Sequence, residues 1–273
     1  MTSLDFLPKR IVCLTEEAVE TLYLLGEQDR IVGISGFVVR PQGVRKEKPI
    51  VSTFTDANVD KILELQPDLV IGFSDIQAEI ARQLVAKGIT VWINNYRTVD
   101  GIFNMIGQLG NLVGKGEKAF ALIQQLKSGI QHIQQALPDR TKPKVYFEEW
   151  FDPLISGIGW VSEIIELAGG NDIYKEHQTA SLAKDRIIKD PNDIVKRNPD
   201  IILASWCGKG FKKDKLVSRT NWNRINAVKN DFVFEIKSSI ILQPGPAAVT
   251  EGITQIAAII QNWHDQNNAS NHE

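Results

Sequence analysis

Glu148 and Glu149 stand side by side at the end of the run Val145–Trp150, and a carboxylate pair is the first place to look for acid–base chemistry. Adjacent residues of a strand point to opposite faces, so these two cannot flank one reacting bond as an acid and its base must. Their remaining chemistry is to accept hydrogen bonds, from a ligand's amide or hydroxyl groups or from water at a solvated strand end. The other candidates are mostly aromatic: Phe37, Phe54, Phe73, Tyr96, Trp150, Trp206 and Trp222, with Arg40 and Ser74 among them. Such rings offer apolar area and stacking faces with little rotamer entropy to lose. Arg40 can hold a phosphate or carboxylate bidentately, or sit in solvent. Core packing is the competing reading for Phe37 and Phe54, a cap on its lobe for Trp222, and Trp160, after a glycine, reads as packing.

Other chemistries lack their signatures. His132, His177, His264 and His272 are scattered with no ligand spacing, and Cys13 and Cys207 suggest neither a disulfide framework nor a metal site. Cys13 reads as a small buried hydrophobe inside a strand, and Cys207 as the end of one. No glycine-rich phosphate loop of the dinucleotide or P-loop type is present. The chain therefore reads as a binder, not an enzyme, with no catalytic cofactor and no metal.

The elements that must position these residues alternate. Ile11–Leu14, Ile31–Ile34 and Leu69–Gly72 are short all-apolar runs without polar alternation, which is the pattern of strands buried on both faces of a parallel sheet. Such sheets bind ligands beyond the strand carboxyl ends. A helix follows Thr15, a fitting N-cap, and stops at Gly26. A second helix covers 58–66, another 76–87, and a strand 89–93. The segment 98–137 carries no strand. Phe120, Ile123, Leu126, Ile130, Ile133 and Leu137 recur there at spacings of three and four, predicting one amphipathic helix from Lys115 to Leu137, roughly 35 Å long. Pro138 and Pro143 close it.

A second α/β series then begins: a strand at 144–149, a helix at 160–168, a helix at 191–197, a strand at 200–204, a helix at 222–228, a strand at 232–236 and a long helix at 245–263. Asn198-Pro199-Asp200-Ile201-Ile202 echoes Gln66-Pro67-Asp68-Leu69-Val70. The predicted architecture is α/β: two Rossmann-like lobes with mainly parallel sheets joined by a single long α-helix. The lobes are 8–113 and 141–264, the bridge is 114–138, and 265–273 is a frayed polar tail. With 273 residues, 43% hydrophobic, 23% charged and a net charge of −2, the chain has material for a real core and no electrostatic case for nucleic acid or an anionic membrane. No apolar run reaches the roughly 20 residues of a membrane span.

The opening stretch 10–36 with Pro41, NVDKILELQPDLVIG at 58–72, the long helix, LAGGNDIY at 167–174, PDIILAS at 199–205 and PGPA at 244–247 resemble the helix-linked solute-binding proteins of ABC importers for cobalamin, iron-siderophores and haem. VYFEEWFDPLISG at 145–157 is most similar to the cobalamin-binding branch. The resemblance implies a ligand cleft between the lobes, a cobalamin or related corrinoid as bound ligand, an ABC importer permease as partner, a monomer, and a periplasmic or cell-envelope location. It implies ligand contacts from Phe37, Arg40, Phe54, Phe73, Ser74, Tyr96, Glu148, Glu149, Trp150, Trp206 and Trp222, with Phe73 at a stacking position, rings suited to a large flat macrocycle, and Glu79 as a transporter-docking acid. A solvated helix face competes for Glu79. Arg40 stands where that branch has an aromatic, which keeps a different corrinoid or an anionic chelate open. Ferric siderophore is the alternative ligand; haem would need Tyr96 as its axial group. MTSLDFLPKR lacks the apolar core of a leader, which keeps open a cytoplasmic, chelatase-like or metallocofactor-handling role.

Overall fold

In the computed structural model residues 6–137 and 140–270 are described. The chain divides into two compact units, one running to Tyr96 and continuing over Asp100–Gln125, the other comprising Arg97–Val99 and the chain from Leu126 onward.

The first unit is built on β1 (Ile11–Cys13), α1 (Glu16–Leu25), β2 (Ile31–Ser35), α2 (Val44–Glu47), β3 (Ile50–Ser52), α3 (Val59–Glu64), β4 (Leu69–Phe73), α4 (Ala78–Val85) and β5 (Val91–Asn94), followed by α5 (Val99–Leu112) and α6 (Gly116–Ala136). Its sheet runs β3-β2-β1-β4-β5, and the paired strands are all parallel. The central strands are fully covered, as their unbroken apolar runs require. Val12, Leu14, Val51, Ile62, Val70, Ile80 and Leu84 pack into one core cluster. Strand β3 and helix α2 fall in a stretch the sequence reads as loop. Three residues of strand and four of helix are too short to show a period.

The helix predicted from Lys115 to Leu137 is α6, and the stretch before it, left unassigned by the sequence, is α5. Gly114, at φ 72, separates the two, and α5 packs closely on α6: a Cβ on Gly110 would lie 2.2 Å from the Cβ of Ala119. Phe120, counted in the apolar stripe, is 64% exposed, whereas Leu126 and Ile130 are buried. The boundary between the units falls within α6. Pro138, expected to stop this helix, lies outside the described residues.

The second unit contains β6 (Lys144–Phe151), β7 (Leu154–Ser156), α7 (Gly159–Leu167), β8 (Asn171–Asp172), α8 (Pro191–Arg197), β9 (Ile201–Ala204), α9 (Lys213–Val217), α10 (Asn226–Lys229), β10 (Val233–Glu235), α11 (Ser238–Ile241) and α12 (Ile253–Ser270). The order is β10-β9-β6-β7, with β8 also on β6. The β6–β7 pair is antiparallel and the others are parallel. The hairpin is unforeseen because Asp152-Pro153 reads only as punctuation. It also lengthens β6, so Trp150, placed beyond a strand by the sequence, lies within one. The helix expected at 222–228 is a 3-10 turn at Trp222–Arg224 followed by α10, with Ile225 extended between them. The long final helix opens with a π-turn at Ala248–Gly252. The segment read as a frayed tail is helical to Ser270, held in part by Gln261 Nε2 donating to Asp265 Oδ1 at 2.8 Å; His272 lies outside the described residues.

The echoed Pro-Asp segment does the same work in each unit. Gln66 and Asn198 leave their helices at φ 48 and 49. After the proline, Asp68 Oδ2 and Oδ1 accept from Lys9 N at 2.6 Å and Arg10 N at 3.0 Å. Asp200 Oδ2 likewise accepts from Lys144 N at 2.9 Å. Each aspartate clasps the entry of the strand beside its own, which fixes the register at the amino end of the sheet.

Candidate functional site

The carboxyl-end loops of the first sheet are gathered by a residue the sequence reading missed. Gln77 is fully buried. Its Oε1 accepts from Phe73 N at 2.9 Å, and its Nε2 donates to Phe54 O at 3.0 Å and Leu14 O at 3.3 Å. One neutral amide thus ties the ends of β1, β3 and β4. Gly72 makes room for it, since a Cβ there would lie 2.7 Å from Gln77 Oε1. The only sequence signal was a polar residue on an otherwise ordinary helix start.

Around this hub the predicted residues take different places. Phe37 is 49% exposed beyond β2, and Phe54 is half-buried. Phe73 is buried with its ring edge-on to Tyr96 at 5.5 Å, and Tyr96 is seated against Gly101. Ser74 is buried at φ 59, and its hydroxyl accepts from Ile76 N at 3.3 Å, so it shapes the turn. Arg40 is paired with Glu20 Oε1 at 3.1 Å. Glu79 is exposed and held by Arg82, at 2.7 and 2.8 Å, and by Gln83; the guanidinium lowers its carboxyl to about 2.

The first turn of α1 adds two unexpected buried acids. Glu16 is 2% and Glu17 1% exposed. Glu16 Oε2 accepts from Val39 N at 2.8 Å, while its other oxygen and both oxygens of Glu17 are buried with no hydrogen-bond partner within 3.5 Å among the described residues. Burial pushes the Glu16 carboxyl up to about 8 and the Glu17 carboxyl up to about 7. Burial also raises the Cys13 thiol far above its usual range, which suits a packing residue.

In the second unit the two adjacent glutamates are both neutralised by arginines. Glu148, fully buried, receives Arg219 Nη1 at 2.5 Å and Nη2 at 2.9 Å, Trp206 Nε1 at 2.9 Å and Tyr146 Oη at 3.2 Å. Glu149 receives Arg186 Nη1 at 2.6 Å and Nη2 at 2.9 Å, and Arg186 also donates to Ser156 O. The register of β6 against β7 shifts between Glu148 and Trp150, so strict alternation fails at Glu149. The expected hydrogen-bond acceptors are thus occupied within the fold, and neither arginine was singled out from the sequence because each lies more than thirty residues from its glutamate.

The same arrangement builds an aromatic shelf at the carboxyl ends of β6 and β9. Trp150 and Phe151 have ring centroids 5.0 Å apart, Phe151 and Trp206 4.7 Å, and Trp206 and Phe211 5.1 Å. Trp206 is 4% exposed, its indole spent on Glu148. Trp150 and Phe151 are part-exposed. Lys215 Nζ lies 4.2 Å from the Phe151 centroid, and Lys209 Nζ 5.7 Å from both Phe151 and Trp150. Phe211 and both lysines were legible only as the mixed run KGFKKDK with an aromatic in it, and Phe151 only as the residue after Trp150. Trp222 is fully buried under Arg219, whose guanidinium carbon is 4.5 Å from its ring. Beside the shelf, Phe151, Arg219, Asn192 and Asn221 line a cavity of about 630 Å³. Cys207 is exposed, three residues beyond the end of β9.

Ser156 Oγ lies 2.8 Å from His177 Nδ1. Ser156 is 1% exposed, which keeps its hydroxyl from a substrate and makes the contact structural. Among the described residues no group of three or more His, Cys, Asp or Glu is placed to hold a metal ion, and no helix is long and apolar enough to cross a membrane.

Comparison with known proteins adds a consistent picture. The model of the periplasmic binding protein family matches residues 11–240. An uncharacterized ABC transporter substrate-binding lipoprotein of Bacillus subtilis (strain 168) is 29% identical over 260 residues, covering 93% of this chain and 80% of that protein. A cobalamin-binding protein of Halobacterium salinarum is 27% identical over 201 residues, 71% of this chain and 54% of the relative. Among solved structures, the apo form of a periplasmic heme-binding protein from Roseiflexus sp. RS-1 superposes with a TM-score of 0.80 at 20% identity, covering 93% of this chain and 98% of that one; this likeness speaks to the fold alone.

Proposed function

We propose that this chain, which belongs to the periplasmic binding protein family, is the non-catalytic substrate-binding component of an ABC importer and captures a flat, metal-bearing macrocycle of corrinoid type. The observation that carries the reading is the aromatic shelf of Trp150, Phe151, Trp206 and Phe211 at the carboxyl ends of the second sheet. A run of rings with centroid spacings near 5 Å presents stacking area to a planar ligand at little cost in rotamer entropy. Within the first unit, Phe37 and Phe54 offer apolar surface beyond its own sheet, and Phe73 lies edge-on to Tyr96. The cobalamin-binding relative supports the corrinoid assignment. In this role the chain acts at the cell envelope with a permease, for which exposed Glu79 is the docking candidate of the first unit. The ligand-facing roles of Arg40, Ser74, Glu148, Glu149 and Trp222 are indirect: each holds a neighbouring group in place.

A second reading within the same class is a ferric chelate or haem-type ligand, favoured by the two lysines that lie over the shelf. Titration of the purified chain with cyanocobalamin, cobinamide and haemin, followed by tryptophan fluorescence, tests both. We expect quenching from the shelf tryptophans with at least one of the three at micromolar concentration. A flat response to all three up to tens of micromolar overturns the macrocycle reading.

A further inference from the structure

We infer that Lys209 and Lys215 make the shelf of the second unit selective for flat ligands with carboxylates or other anionic groups at their edge. The inference rests on the macrocycle reading and extends it from ligand shape to ligand charge. Its starting point is the charge balance beneath the rings. Four acids or bases there are already matched: Glu148 holds Arg219 and Glu149 holds Arg186, each through two hydrogen bonds. Lys213 is likewise matched, by Asp231 at 2.6 Å. Lys209 and Lys215 have no carboxylate partner among the described residues; their recorded contacts are with the rings of Trp150 and Phe151. The neighbouring acids Asp152 and Asp214 are exposed and form no ion pair with either. The shelf therefore carries two unmatched positive charges on its open side.

A cation over an exposed ring is held weakly. A planar ligand that stacks on Phe151 competes with the Lys215 ammonium for the ring face, and the displaced amine swings on its flexible stem to the ligand's edge. There a carboxylate gives it a charge-assisted hydrogen bond, an amide gives it a weaker one, and a cationic edge repels it. Lys209, midway between two rings, reaches the adjoining edge in the same way. The competing account is that both lysines merely drape their methylenes over apolar surface, in which case ligand charge is irrelevant.

Matched corrinoid probes separate the two accounts. Cobyrinic acid carries carboxylates around the ring where cobinamide carries amides. With the full chain at low ionic strength, we expect cobyrinic acid to bind about tenfold more tightly than cobinamide, and the preference to shrink when salt is raised to roughly 0.5 M. The K209M/K215M variant should lose the preference while still binding cobinamide, and K209R/K215R should keep it. Thermal melts that match the parent chain establish that the variants fold. Equal affinity of the parent chain for both probes, or a preference that survives K209M/K215M, overturns the inference while leaving the macrocycle reading intact. Failure of the parent chain to bind either probe overturns this inference, and the macrocycle reading falls with it only when cyanocobalamin and haemin also fail to bind.

Discussion

The two units solve one structural problem in opposite ways. Each must hold loops at the carboxyl end of a parallel sheet, where the backbone no longer has a ladder to bind. The first uses a neutral amide, Gln77, with hydrogen bonds to the ends of three strands, and it buries the carboxyls of Glu16 and Glu17 with no ion pair to either among the described residues. The second uses ion pairs, Arg219–Glu148 and Arg186–Glu149, with burial of one or both partners. The difference teaches where each unit is fragile. A neutral hub fails by the loss of modest hydrogen bonds and is indifferent to pH. A buried ion pair fails steeply when one partner goes, because a bare charge is left behind.

The sharpest break in the comparison is Arg219→Met. It strands Glu148 in a fully buried site, and we expect a loss of about 4 kcal/mol in urea unfolding. The balanced variant R219M/E148Q should recover much of it. If the single variant costs no more than a surface substitution, the ion-pair account of this unit is wrong.

Next comes the pH response of the first unit. Glu17 has a folded value near 7 against an ordinary 4.5. The folded state thus keeps its proton where the unfolded chain has released it. The stability this contributes is complete below about pH 4.5 and is lost as pH rises to about 7. E17Q removes that loss and should stabilise the protein at pH 8 by up to about 3 kcal/mol, with no gain at pH 4. Denaturant melts at the two pH values decide it, and an equal effect at both contradicts the burial argument.

Gln77→Leu should cost less than Arg219→Met, about 2 kcal/mol, because it leaves neutral groups of Phe73, Phe54 and Leu14 unsatisfied. It should also loosen the loop bearing Phe54, visible as faster amide exchange there. The smallest effect belongs to Glu79→Ala. The ion pair with Arg82 is exposed on both sides, so stability should move by less than about 0.5 kcal/mol. Importer-coupled uptake is where E79A should register, if Glu79 docks.

Much of the architecture was readable because it rests on local patterns. Unbroken apolar runs announce strands covered on both faces, as at Ile11–Cys13 and Leu69–Phe73. Gly26 at φ 75 ends α1 as a helix stop should. The Pro-Asp echo marked corresponding points in the two units. What escaped were the short β3 and α2, the β6–β7 hairpin, and helix α5. The site was less legible. Sequence reading located its aromatic neighbourhood, including Trp150 and Trp206, but missed Phe151 and Phe211. It also treated Glu148 and Glu149 as free acceptors when each was taken by an arginine.

By itself, then, the sequence determined the strand and helix alternation, the repeated Pro-Asp segment before β4 and β9, and the concentration of aromatics around the strand ends. These follow from periodicity and from residues acting on near neighbours. Only the tertiary structure decided which polar groups are spent and which remain. Arg219 meets Glu148 across 71 residues and Gln77 meets Leu14 across 63. Pairings at that separation depend on how strands are ordered in the sheet, which no local pattern encodes. The charge left over on Lys209 and Lys215 becomes visible only after those pairings have been made.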